Sequence, residues 1–166
     1  MTTTSSFPRL DSKIYSEAEY IHGHKKIVID SSITSAILSV AKTSQLTLNT
    51  MIIGAWALVL HHYTNLIDLV FGVTVSGRPT DLEGSESVIG NCINTIPLRA
   101  SYQKSITTLK FLQQLQQSQT EISSYSYLAL SEIKECSQVA SLQLFESIVV
   151  FENETIDGSK VNQILY

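Results

Sequence analysis

Ten consecutive uncharged residues, Met51 to Leu60 (MIIGAWALVL), are followed after a short polar break by the alternating run Leu69 to Val75 (LVFGVTV). The first run reads as a helix from Met51 to about Tyr63, apolar on nearly every side. Its small residues Gly54, Ala55 and Ala57 permit close packing. The second run sets Leu69, Phe71, Val73 and Val75 on one face of a strand and Val70, Gly72 and Thr74 on the other. A helix without a polar face has to be covered, so the pair predicts a central buried helix next to a strand covered on at least one side. The apolar run is far short of the roughly 20 residues that span a bilayer.

The rest of the chain supplies the covering layers. Lys25 to Asp30 (KKIVID) is a short β-branched run read as a strand. Asp30, Ser31 and Ser32 then offer N-cap side chains to a helix with Ile33, Ile37, Val40 and Ala41 at helical spacing. The stretch from Thr47 to Thr50 caps the central helix. Cys92 to Arg99 (CINTIPLR) is strand-like, and Pro97, which has no N–H to donate, places it at a sheet edge or strand end. Ser105 caps a helix from Ile106 to about Ser123, with Leu109, Phe111, Leu112, Leu115 and Ile122 inward and Gln113, Gln114, Gln116 and Gln117 on a mostly solvated face. A short helix around Leu128 to Glu135 and the β-rich run Leu144 to Phe151 (LFESIVVF) complete the series.

This order of elements predicts an α/β fold, a two-layer sandwich of helices packed on a mixed sheet. Residues 1 to about 24 are polar and weakly patterned, and are expected to be a flexible lead-in or linker remnant before a unit spanning 25–166. A chain of 166 residues that is 43% hydrophobic can bury one sizeable core.

Charge narrows the partners. Eleven Lys and Arg stand against 15 Asp and Glu with no basic block, which argues against nucleic acid and against an anionic membrane surface. The opening MTTTSS has neither the positive nor the apolar region of a signal peptide. Cys92 and Cys136 lie far apart, outside any CxxC or Cys/His spacing, and read as buried thiols in a reducing compartment. The expected location is cytoplasmic, and no metal site is expected.

Few residues present themselves for chemistry. His61-His62 is followed by Asp68, but HHYTNLID has no further ligand at metal spacing, and the pair is read as a solvated helix end, where cations are favourable. GxSxG, HExxH, GxGxxG and the Walker loop are all missing, so no catalytic set is assigned. The stretch from Ser76 to Ser87 (SGRPTDLEGSES), about twelve residues rich in Gly, Pro, Ser and acids, is a functional loop candidate. Arg78 at its start could clamp an anion or carboxylate, or pair locally with Asp81 or Glu83.

Four stretches in order resemble the condensation domain of nonribosomal peptide synthetases. TLNTMIIGAWALVL (Thr47 to Leu60) is similar to the family's helix before the strand, and DLVFGVTVSGRP (Asp68 to Pro79) to its strand and Gly-Arg exit. VIGNCINTIPLR (Val88 to Arg99) matches its (I/V)GxFVNTxxxR motif at Gly90, Asn94, Thr95 and Arg99, with Cys92 in place of Phe and Ile93 in place of Val. LQLFESIVVFEN (Leu142 to Asn153) is similar to the family's LFESLLVFEN strand. Ala129 stands where the family usually has Pro, and the Arg-Asp motif expected before LFES is missing from Lys134 to Leu144.

The resemblance implies a chloramphenicol-acetyltransferase-like subdomain, the C-terminal one of a pseudo-dimer whose reaction takes place in a tunnel between the two halves. The family's catalytic HHxxxDG belongs to the N-terminal half and does not occur in this chain. The implied activity is amide-bond formation between carrier-bound thioesters, with this chain not catalytic by itself. A stand-alone module that docks a carrier protein or complements a separate half is the alternative. No cofactor is expected to bind directly, since substrates arrive on phosphopantetheine arms of carrier proteins. The implied partners are the N-terminal subdomain, peptidyl carrier proteins and adjacent synthetase modules. Ser76, Gly77, Arg78, Gly90 and Asn94 are the candidate tunnel or floor-loop residues. Asn94 either turns its amide toward a substrate or bonds to backbone.

Overall fold

A computed structural model describes residues 23–77, 84, 87, 89–103, 105–137 and 143–152. The lead-in before residue 23, Arg78 and most of the loop that follows it lie outside the described residues.

Helix α1 (Ser31–Thr43) and helix α2 (Leu48–Thr64) precede strand β1 (Asp68–Ser76) and strand β2 (Ile93–Ser101). Helices α3 (Thr108–Ser123) and α4 (Leu130–Cys136) follow, and strand β3 (Ile148–Val149) comes last. β1 and β2 pair antiparallel from Asp68 opposite Ser101 to Ser76 opposite Ile93. β3 joins the other side of β1 in parallel, with Gly72 opposite Ile148 and Val73 opposite Val149. The sheet order β2-β1-β3 puts β2 at an edge, as the proline in it predicts.

One core forms between the sheet and the helices. Directly opposed residues share a face, so Leu69, Phe71 and Val73 of β1 lie beside Ile96, Leu98 and Ala100 of β2. Ile53, Ala57 and Leu60 of α2 and Phe111, Leu112 and Leu115 of α3 close over them. The result is the expected two-layer arrangement of helices on a mixed sheet. Gly54 is required where the two helices meet, because a Cβ there would run into the Leu112 side chain. Gly72 is required on the other face, where a Cβ would come within 2.6 Å of the Phe145 ring.

Several expectations are corrected. Lys25–Asp30 forms no strand, because no strand among the described residues borders it to accept its hydrogen bonds. Asp30 occupies the N-cap of α1 without a side-chain cap bond, and Ile33 and Val40 of that helix are exposed while Ala41 is buried. The central helix is buried on one side only, leaving Ile52 and Val59 on its outer face exposed. The cap of α3 is Thr107, whose side chain accepts from the Lys110 N–H, in place of Ser105, and Leu109 is exposed. Only Ile148 and Val149 of the last β-rich run enter the ladder. Cys136 is exposed and Cys92 half-buried, so neither thiol is fully buried.

The glutamine face of α3 is also less solvated than its composition suggests. Gln116 accepts from the Thr47 N–H at 2.8 Å and donates to the Gln45 carbonyl at 3.0 Å. Thr50, fully buried, places its hydroxyl 3.1 Å from Gln116 Oε1 and 2.8 Å from Gln119 Oε1. These contacts tie the N-terminus of α2 to the middle of α3 and satisfy a polar group that burial would otherwise penalise.

Candidate functional site at the mouth of the β1–β2 hairpin

β1 and β2 continue one step beyond their ladder. The Gly77 N–H donates to the Cys92 carbonyl at 2.6 Å, which closes the stem on which the following loop is mounted. A Cβ on Gly77 would collide with that same carbonyl, so the approach of the two backbones depends on glycine here. Gly90 meets nothing within 4 Å of a Cβ position, so its exposed place at the loop exit is open space.

Asn94 adds the second fastening. Its Nδ2 donates to the Ser126 carbonyl at 2.7 Å and to the Leu128 carbonyl at 2.8 Å, and its Oδ1 accepts from the Thr95 N–H at 2.8 Å. Both amide hydrogens are thus committed to the turn between α3 and α4. This is the backbone-bonding arrangement that the sequence left open for Asn94. Two carbonyls can only accept, which fixes the orientation of the amide. The Ser126 carbonyl also lies 3.8 Å from a Cβ position on Gly77, so stem and turn meet at one point.

The structure brings Gly77, Cys92 and Asn94 together around that turn. Ser76 pairs with Ile93 on the sheet face opposite Asn94, and both are exposed. Ser126 and Leu128, whose carbonyls receive the Asn94 amide, carry no signal in sequence, because backbone acceptors have no side-chain identity. Tyr125 and Tyr127, on either side of Ser126, are exposed.

Away from the mouth, Arg99 forms a bidentate pair with Asp68, Nε to Oδ1 at 2.7 Å and the terminal nitrogen to Oδ2 at 2.9 Å. Hydrogen bonding and the charge of Asp68 together raise the Arg99 pKa above the ordinary guanidinium value. The motif arginine is therefore a cross-strand tie at the far end of the hairpin. His61 behaves as a helix-end residue: its Nδ1 lies 2.7 Å from the Leu66 carbonyl and its ring 4.4 Å from that of Tyr102. Among the described residues no three His, Cys, Asp or Glu side chains could hold a metal ion. Among the same residues no single helix is long and apolar enough to cross a membrane.

Two recesses lie outside the hairpin mouth. One, of about 410 Å³, is apolar and runs between the outer face of α2 and β3, lined by Ile52, Ala55, Trp56, Val59 and residues 148–150. The other, of about 530 Å³, is polar and lies between the β2 edge and α3.

Comparison with known proteins agrees with the motif order. The family model described as Condensation domain matches residues 5–164. A linear gramicidin synthase polypeptide of Brevibacillus parabrevis is 41% identical over 153 residues, which cover 92% of this chain and 3% of that protein. Bacitracin synthase 3 of Bacillus licheniformis is 33% identical over 92% of this chain and 2% of its own length. This chain therefore spans a few per cent of the curated relatives it matches. The first condensation domain of the CDA synthetase aligns over 72% of the chain and 25% of its own, with a TM-score of 0.59 and 18% identity. A four-domain nonribosomal peptide synthetase bound to AMP and glycine aligns over 82% of this chain and 11% of its own, with a TM-score of 0.71 and 20% identity. At those identities the two structures show a shared fold. With a family model matching nearly its whole length and its four motif stretches in family order, the chain belongs to the condensation-domain family.

Proposed function

We propose that this chain is the C-terminal part of a condensation domain in a nonribosomal peptide synthetase whose parent enzyme joins carrier-bound aminoacyl or peptidyl units. In that reaction the amine of one carrier-bound unit attacks the thioester carbonyl carbon of the other. The C–N bond forms, the C–S bond breaks, the phosphopantetheine thiol leaves, and the amine loses a proton. Holding two tethered reactants in line supplies much of the rate. The observation that carries this reading is the match over residues 5–164 together with the motif VIGNCINTIPLR, which occupies the loop exit and β2.

Within it, Gly77 and Asn94 are support for the floor loop that begins at Ser76. Gly77 lets the stem close, and Asn94 holds the turn at Ser126 and Leu128 against it. Ser76, Arg78 and Gly90 are the stem and loop positions offered to the tunnel. The partners in this reading are the N-terminal subdomain, carrier proteins and adjacent modules, and the cytoplasm is the compartment. The chain contains no HHxxxDG, so the reading makes it inactive by itself. The alternative module, one that complements a separate half or docks a carrier, draws support from the apolar residues left exposed on α1 and α2.

Reconstitution tests the reading. The chain is combined with a separately produced N-terminal half carrying HHxxxDG and two loaded carrier proteins, and product is followed by mass spectrometry. Product is expected with both halves and not with either one. Product from this chain alone would overturn the reading, and so would failure of the two halves to restore activity when each is shown to be folded.

A further inference from the structure

We propose that the β3 edge and the apolar groove beside it are a strand-docking surface for residues 25–30 of a second copy of this chain. The two features are complementary. β3 stands at the sheet edge, so one side of its backbone faces away from β1. Ile148 and Val150 beside it are 54% and 58% exposed, and α2 walls the groove with Ile52, Ala55, Trp56 and Val59. Lys25–Asp30 is a β-branched run outside any helix or strand, with Ile27, Val28 and Ile29 77%, 81% and 57% exposed. Among the described residues it has the composition of a strand and no strand to pair with, while β3 has an open edge and no strand to cover it.

Charge fixes the direction. Antiparallel docking with Val28 opposite Val149 sets Ile27 opposite Val150 and Ile29 opposite Ile148, and brings Lys25 opposite the exposed Glu152. In this register Val28 shares the face of Val149, which packs against the core beneath α2, and so enters the groove. Ile27 and Ile29 cover Val150 and Ile148 on the other face. Each copy has one donor segment and one acceptor edge, so a two-fold dimer makes the contact twice.

Trp56, the single tryptophan of the chain, lines the groove and donates to the Ser147 hydroxyl at 3.2 Å, so it reports on occupancy. The experiment is sedimentation velocity with tryptophan emission on the 166-residue chain from about 1 to about 100 μM. Association with a concentration-dependent blue shift is expected. Val28→Pro blocks the donor without touching the core, Val59→Lys puts an ammonium in the groove, and each is expected to weaken self-association by about tenfold or more. Mixing the two variants restores one intact donor and one intact groove, and with them association, which also shows that both are folded. Lys25→Glu weakens the dimer, and adding Glu152→Lys recovers it. A chain that stays monomeric at the highest concentration overturns the proposal. So does a dimer insensitive to Val28→Pro, or a charge exchange that fails to rescue, which would mean another surface or register.

Discussion

Replacing Asn94 by alanine isolates the fastening that joins the hairpin stem to the turn between α3 and α4. The side chain donates two hydrogen bonds, at 2.7 and 2.8 Å, to the carbonyls of Ser126 and Leu128. A hydrogen bond within a folded protein is worth about 1 kcal/mol net, so Asn94→Ala is expected to cost about 2 kcal/mol. With a urea slope of about 2 kcal/mol/M, the midpoint falls by about 1 M. Asn94→Asp keeps the shape, removes both donors and aims a carboxylate at two carbonyl oxygens, so it should be the worse of the two. Urea unfolding read by circular dichroism measures the loss. Hydrogen exchange locates it, with the Leu128 N–H, bonded to Tyr125, accelerating by more than the amides of β1 in the core. A midpoint change under about 0.2 M for Asn94→Ala, or an Asn94→Asp variant as stable as the parent, would refute the clamp and leave the amide free for another role.

Three further outcomes follow from the same structure. Thr50→Val strands Gln119 and one contact of Gln116 at the α2–α3 seam and should lower stability by about 1–3 kcal/mol, measured by thermal unfolding. Gly77→Ala forces the stem apart at the Cys92 carbonyl, so the half-buried Cys92 thiol should react faster with a thiol reagent while the exposed Cys136 serves as the internal reference. Arg99→Ala removes an exposed pair and should cost no more than about 1 kcal/mol. Because the Arg99 pKa is raised in the folded state, its contribution is fully present below the ordinary guanidinium range and is lost only as pH rises through the folded value. Parent and variant should therefore keep a constant difference in urea midpoint between neutral and mildly alkaline pH.

The elements most legible in sequence were those whose pattern is local. The run Leu69–Val75 alternates, and it became β1 with the expected inward face; Pro97 marked an edge strand, and β2 is one. The apolar run Met51–Leu60 announced α2, and Thr47 capped it as its side chain suggested. Lys25–Asp30 shows where local pattern stops. A strand is completed by hydrogen bonds to a neighbour, and that neighbour is not a property of the six residues. The outer face of α2 teaches the same lesson in reverse, since apolar composition states a need for cover but not whether the cover is in the same chain.

The candidate site divides along the same line. The motif VIGNCINTIPLR, read as residues, placed the chain in its family and singled out Gly90, Asn94 and Arg99. What Asn94 and Arg99 touch was decided by distance in three dimensions. Asn94 reaches carbonyls more than 30 residues away, and Arg99 meets Asp68 because full pairing of β1 with β2 sets its cross-strand neighbours. Gln116 left its solvated face for the same reason, once packing of α3 on α2 brought Thr47 and Thr50 within reach. Composition and periodicity determine which residues seek cover and which can bend a turn. Which polar atoms meet depends on strand register and helix packing, because hydrogen bonds act over about 3 Å and only the folded chain brings such distant residues that close.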